Sequence, residues 1–273
     1  MMSTSYPETD GDPNMRASGE AERAEEVRTT QSEEPPASIR VEVWRGTATG
    51  HFDAFEVPRR MHQTVLDVVT EIQREQDATL AYRFACRVGM CGSCAMEVNG
   101  RPRWTCRTRV STVVGTRQLL RLAPLRNFTV VKDLAVEMTD FFDKWSDAKG
   151  CFEPGAEIAG DFAVVPPSSP QRQAADAGIE CIGCGICHAA CDVVAWDPQY
   201  LGPAALNRAW TLINDVRDRG RAARIDAVAG GSGCAACHTH MSCTAFCPKG
   251  IAPTYAIAGL KRAVIGDTLR RRR

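Results

Sequence analysis

Residues 86 to 94 read Cys86-Arg87-Val88-Gly89-Met90-Cys91-Gly92-Ser93-Cys94, and eleven residues separate Cys94 from Cys106. The spacing C-x4-C-x2-C-x11-C is the plant-type arrangement in which four thiolates hold a [2Fe-2S] cluster. Gly89 and Gly92 sit inside the loop. A backbone that wraps a compact anionic cluster must enter conformations closed to other residues and turn its N–H groups toward sulfur. A tetrahedral zinc site is the competing reading, but zinc ribbons pair two C-x2-C knuckles rather than this spacing. Cys86, Cys91, Cys94 and Cys106 are therefore the expected ligands of a first centre.

The flanks of that loop fit one fold. Upstream, Ile39, Val41 and Val43 alternate with Arg40, Glu42 and Trp44, the period of a half-buried strand, and a second strand is predicted around Phe52 to Val57. Thr64 with Asp67 three residues on forms an N-cap signal, and Val65, Leu66, Val68, Val69 and Ile72 recur at helical spacing to about Gln76. Strand, strand, helix opens a β-grasp fold. Downstream, Ala95 to Val98 runs into an Asn99-Gly100 turn, and Leu119 to Leu122 and Phe128 to Val131 offer further strands. This places a β-grasp [2Fe-2S] domain at residues 39–133.

From Leu134 the pattern turns helical. Val136, Met138, Phe141, Phe142 and Trp145 predict an amphipathic helix ending near Gly150, followed by a connector rich in Pro, Ser and Gly. Gly202-Pro203 starts a second helix with Leu206, Ala209, Trp210, Ile213 and Val216 on one face, and Pro253 starts a third that closes near Gly266. The expectation is an all-helical domain over residues 134–265 with cysteines in its loops, then a basic tail over 266–273. The overall class is α+β.

Those loops hold two further cysteine runs. Cys181, Cys184, Cys187 and Cys191 have the bacterial ferredoxin spacing C-x2-C-x2-C-x3-C, with Asp192 in place of the usual proline. In two-cluster ferredoxins the fourth cysteine crosses to the other cluster, so the first three need a distant partner. Cys247, followed by Pro248, supplies it, giving a [4Fe-4S] set of Cys181, Cys184, Cys187 and Cys247. The last run repeats the motif as Cys237, His240, Cys243 and Cys247, with histidine in the middle. Cys191, Cys237 and Cys243 then remain as three thiolates, the number that holds a [3Fe-4S] cluster. Cys151 reads as a free thiol. His240 and Cys234 leave open a fourth iron site at the third centre, with His240 as a non-ligand the favoured reading.

Composition narrows the function classes. The 273-residue chain carries 33 basic and 33 acidic side chains, but nine acidic and three basic ones fall in residues 1–38, which lack an apolar run and are expected to be a disordered acidic tail. No apolar h-region follows a basic start, and no stretch approaches the roughly 18 apolar residues of a membrane span. With no secretory signal, thirteen cysteines point to metal rather than disulfides. Neither a Gly-rich dinucleotide fingerprint after a strand nor a nucleophile with its base is present, so one-electron transfer without bond-making chemistry is the expected role.

The segments Cys86 to Met96, Cys181 to Cys187, Cys243 to Gly250 with Pro253 beyond, and Val130 to Leu134 together resemble the iron-sulfur subunit of succinate dehydrogenase and quinol:fumarate reductase, over residues 39 to 265. The resemblance implies a complex in which succinate and fumarate interconvert at FAD in a flavoprotein subunit. The present chain would pass electrons through its [2Fe-2S], [4Fe-4S] and [3Fe-4S] clusters to membrane quinone. It further implies a cytochrome b-type membrane anchor, a peripheral position on the cytoplasmic face of the inner membrane, no nucleic-acid partner, and quinone contacts from Trp196 and His238.

Three residues depart from the family, all around the third centre: Asp192 replaces a proline, His240 an aliphatic residue, and Ala195 a tryptophan. A carboxylate so close is expected to lower that centre's potential. Iron-sulfur subunits of soluble thiol-dependent fumarate reductases or heterodisulfide reductase-like complexes use related motifs and stand as the alternative.

Overall fold

The computed structural model describes residues 37–116, 118–155 and 165–272. The expected acidic tail lies outside them except for its last two residues, as does part of the connector.

The first half is built on a five-stranded sheet. Strands β1 (Ser38–Gly46), β2 (Gly50–Pro58), β3 (Ala95–Val98), β4 (Arg101–Trp104) and β5 (Leu119–Ala123) lie in the order β2-β1-β5-β3-β4. β1 and β5 run parallel at its centre, and the other pairs are antiparallel. Ile39, Val41 and Val43 all point inward, as their alternation requires. Helix α1 (Val65–Glu71) covers that face with Val65, Val68 and Val69. Its capping box is complete: the Thr64 hydroxyl accepts from the Asp67 N–H while the Asp67 carboxylate accepts from the Thr64 N–H. The stretch Ile72–Gln76 continues it as a π-helical turn. Asn99 (φ 51°) and Gly100 (φ 74°) make the two-residue turn between β3 and β4, where both central positions need left-handed backbone. This is the β-grasp arrangement.

A two-stranded ribbon, β6 (Val130–Lys132) with β7 (Ala135–Val136), closes the first half. Val136 therefore belongs to a strand rather than to the helix predicted there. Helix α2 begins only at Thr139 and runs to Asp147, because the Glu137 carboxylate takes the N–H groups of Met138 and Thr139.

In the second half, α3 (Pro170–Ile179) occupies the region read as connector. Ser169 caps it, and the Trp210 Nε1–H donates to the Ala174 carbonyl from α6 (Gly202–Ile213). Val216 lies beyond α6 and is exposed. α4 (Ile186–Ala189) and α8 (Ser242–Ala245) are single turns inside the cysteine runs, and α5 (Asp192–Trp196) is a short turn directly after Cys191. α7 (Arg221–Ala229) and α9 (Pro253–Arg271) pack on α6 around Leu206, Ala209, Val228, Ile257 and Leu260. α9 does not close near Gly266. Arg270 and Arg271 suit a helix C-terminus, and Arg271 pairs with Asp267 at 2.7 Å and with Asp226 of α7 at 2.8 Å. Among the described residues no helix is long and apolar enough to cross a membrane.

Candidate iron-sulfur centres

In the first loop, the Cys86 sulfur accepts N–H groups from Val88 (3.4 Å), Met90 (3.3 Å) and Cys91 (3.3 Å), and the Cys91 sulfur accepts from Cys86 (3.5 Å). Gly89 (φ 75°) and Gly92 (φ 73°) turn the chain left-handed to aim those groups. Cys94 and Cys106 are buried at the loop's floor, where the Cys106 N–H donates to the Cys94 sulfur at 3.5 Å. Burial pushes the Cys106 thiol up, to about 12. The cradle therefore presents N–H donors to sulfur throughout, as a bound anionic cluster requires.

Cys181, Cys184, Cys187 and Cys247 line one cavity, walled by Ile182, Pro248 and Ile251. Burial pushes Cys184 up to about 12 against the N–H of Ile186, and holds Cys187 well above the ordinary thiol range. Deprotonated sulfurs in so apolar a chamber need positive metal beside them, and loading must expel the thiol protons. Gly183 (φ 62°) and Gly185 (φ 75°) shape this loop, and a Cβ on Gly185 would come within 2.9 Å of the Phe128 ring.

Cys191, Cys237 and Cys243 line a separate cavity with Asp192, Tyr200 and His240. Cys191 is the N-cap residue of α5, at the N–H end of that turn. Burial raises both Cys191 and Cys243. Among the described residues no three His, Cys, Asp or Glu side chains converge as a single metal ion would require; the thiols are distributed around cavities instead. The thiol donors, the sulfur-directed N–H groups and the left-handed glycines all fit clusters in these chambers.

The exposed Trp196 and His238 lie together, ring centroids 6.5 Å apart, and His238 lines the third cavity. His240 joins them, edge-on to Trp196 at 5.6 Å, and is flanked by Thr239 (φ 62°) and Met241 (φ 64°). Cys234 is packed into the helical core with Val228 and Ile257, and Cys151 is exposed. Sequence reasoning missed Tyr200 and Thr254 at the third cavity, since neither lies within a cysteine run.

Two family models match the chain: one described as a 2Fe-2S iron-sulfur cluster binding domain over residues 39–143, the other as a 4Fe-4S dicluster domain over residues 178–251. The chain is 36% identical over 224 residues to a fumarate reductase iron-sulfur subunit of Mycobacterium tuberculosis, an alignment covering 81% of this chain and 88% of the relative. It is also 36% identical over 206 residues to a mitochondrial succinate dehydrogenase [ubiquinone] iron-sulfur subunit of Oryza sativa subsp. japonica, covering 72% and 70%. In solved structures, a chain of the Mycobacterium smegmatis Sdh1 complex in the apo form superposes with a TM-score of 0.75 at 28% identity, over 85% of this chain and 98% of that one.

Fold, cysteine sets and matches define a two-domain iron-sulfur electron-transfer protein with 2Fe-2S and 4Fe-4S binding domains. The chain belongs to the family of succinate dehydrogenase and fumarate reductase iron-sulfur subunits, components of an oxidoreductase complex.

Proposed function

We propose that this chain relays single electrons between FAD in a flavoprotein subunit and membrane quinone, through three centres. Cys86, Cys91, Cys94 and Cys106 hold the [2Fe-2S] cluster. Cys181, Cys184, Cys187 and Cys247 hold the [4Fe-4S] cluster, and Cys191, Cys237 and Cys243 the [3Fe-4S] cluster. The observation that carries this reading is the exchange of cysteines between runs. Cys247 lines the cavity of the first run while Cys191 lines that of the last. Two chambers with four and three thiols are what one four-iron and one three-iron cluster need. The division into residues 39–133 and 134–265 follows the same assignment.

When bound, the clusters supply one-electron steps with little movement of atoms. The residues of this chain hold them in order and exclude water: Gly92 brings the first loop against Cys184, and the apolar wall of Ile182, Pro248 and Ile251 closes the second chamber. At the far end, the neighbouring rings of Trp196 and His238 support the reading that these two side chains meet quinone beside the third cavity. A cytochrome b-type anchor would supply the membrane part, with this chain peripheral on the cytoplasmic face of the inner membrane. The iron-sulfur subunit of a thiol-dependent fumarate reductase or heterodisulfide reductase-like complex is the rival, and the Trp196 and His238 pair favours quinone.

The test is a potentiometric titration by paramagnetic resonance in membranes, with succinate and quinol as reductants. Three centres reducible from both sides, with about nine irons and ten labile sulfides per chain, are expected from the three cluster formulas. Zinc in their place, or no quinol-linked reduction, would overturn the proposal.

A further inference from the structure

The third cavity contains hydroxyl groups that its cysteine motif does not announce. Tyr200 is 1% exposed, an unusual degree of burial for a phenol, and lines the cavity with Cys191, Cys237 and Cys243. Its side chain shares that cavity with Cys237, and a buried phenol hydroxyl beside a thiolate sulfur can act toward it only as a donor. The Tyr200 N–H bonds the Asp197 carbonyl at 3.0 Å, and the next N–H, of Leu201, bonds the Ser232 carbonyl at 2.9 Å, which holds the ring in place.

On the other side, Thr254 stands in the first turn of α9 with its Oγ1 3.4 Å from the Cys243 sulfur. The Thr244 hydroxyl donates to that same Oγ1 at 3.0 Å. With its oxygen occupied as acceptor, the Thr254 hydroxyl has its own hydrogen free for Cys243. A metal-bound cysteine sulfur is a thiolate and accepts only, so a hydroxyl in contact with it must point its hydrogen at sulfur when a cluster is present.

We propose that Tyr200 and Thr254 are positioning residues that raise the potential of the third centre by donating hydroxyl hydrogen bonds to Cys237 and Cys243. The inference rests on the assignment of a [3Fe-4S] cluster to this cavity. Reduction adds one negative charge, much of it carried on sulfur, in a site that burial makes hostile to charge. A hydrogen bond to sulfur is stronger in the reduced state than in the oxidised one, and therefore favours reduction. Asp192, on the same cavity, acts in the opposite sense. The electron consequently settles at the centre nearest Trp196 and His238 only if the hydroxyl donors outweigh the carboxylate.

The experiment is a potentiometric titration of the oxidised three-iron resonance in the intact complex, comparing wild type with Tyr200→Phe, Thr254→Val and Thr254→Ser. Tyr200→Phe and Thr254→Val are each expected to change the oxidised-to-reduced ratio at a fixed potential about tenfold toward oxidised, a fall of about 59 mV for a one-electron couple. Thr254→Ser, which keeps the hydroxyl, should restore the wild-type value, and the other two centres should not move. In heavy water, the exchangeable-deuteron coupling to the cluster should weaken in Tyr200→Phe. Unchanged midpoints in Tyr200→Phe and Thr254→Val with full signal would overturn the proposal. If Tyr200→Phe fails to assemble, the Thr254→Val and Thr254→Ser pair decides it. Absence of the three-iron resonance in wild type would instead overturn the cluster assignment, a different failure with a different signature.

Discussion

Gly92 of the first cysteine loop meets Cys184 of the second so closely that a Cβ on Gly92 would lie 2.6 Å from the Cys184 Cβ and 2.8 Å from its Cα. Two cysteine loops, proposed to hold different centres, are thus in direct contact; Cys184 leaves no room for a side chain at Gly92, and the left-handed φ of 73° would strain one. Gly92→Ala combines overpacking with backbone strain and is expected to cost about 1–3 kcal/mol. Thermal unfolding of the cluster-loaded protein measures it; a melting temperature equal to wild type would show that the two loops do not pack this way.

Asp133, 1% exposed, ties the junction after β6 together. Its carboxylate accepts the N–H groups of Gly46 and Ala81, both at 2.9 Å, and lies 3.2 Å from Nε of the buried Arg45. Asp133→Ala leaves that guanidinium with one carboxylate fewer and two N–H groups unmatched, a loss of about 3–5 kcal/mol. Denaturant titration should show the midpoint fall; a change below about 1 kcal/mol would mean the network contributes little.

Glu137 gives a pH dependence. Hydrogen bonds from the Thr139 hydroxyl and N–H, with the Met138 N–H, hold its carboxyl below the usual range. A depressed carboxyl stabilises the fold above its unfolded pKa of about 4.3, and the contribution is lost as pH falls through the folded value. The stability difference between wild type and Glu137→Gln should accordingly be present at neutral pH and vanish in acid. A difference constant with pH would contradict it.

Asp192→Asn removes a carboxylate from the third cavity and should raise that centre's potential. Asp192 is exposed, so screening keeps the shift below about tenfold in the oxidised-to-reduced ratio and makes it shrink with added salt. An identical titration curve at low salt would remove Asp192 from the account.

His240 stands where a fourth cysteine would complete the run of Cys237, Cys243 and Cys247. His240→Cys is expected to abolish the oxidised three-iron resonance and add one iron per chain, while His240→Val should retain the resonance. Loss of the resonance in His240→Val would instead make the imidazole part of the centre's support.

The ligand spacings, the alternation of β1 and the capping box of α1 were legible because each is written within about a dozen consecutive residues. α3 was not. Its composition from Pro170 to Ile179 carries only a weak apolar face, and the Trp210 hydrogen bond and the tight seat of Gly178 against Thr211 come from a helix some thirty residues later. Val136 was misplaced for a similar reason, since strand pairing with Val130 outweighed a helical pattern that fitted equally well.

By itself the sequence determined which atoms could bind iron and how many thiols each run offers, because ligand geometry within a loop is set by covalent spacing. Only the tertiary structure decided which hydroxyls face which sulfur, how near the first loop comes to the second, and which imidazoles gather beside Trp196. Those depend on distances between segments remote in the chain, and such distances are set by the packing of α6, α7 and α9 and of the sheet rather than by any local run of residues.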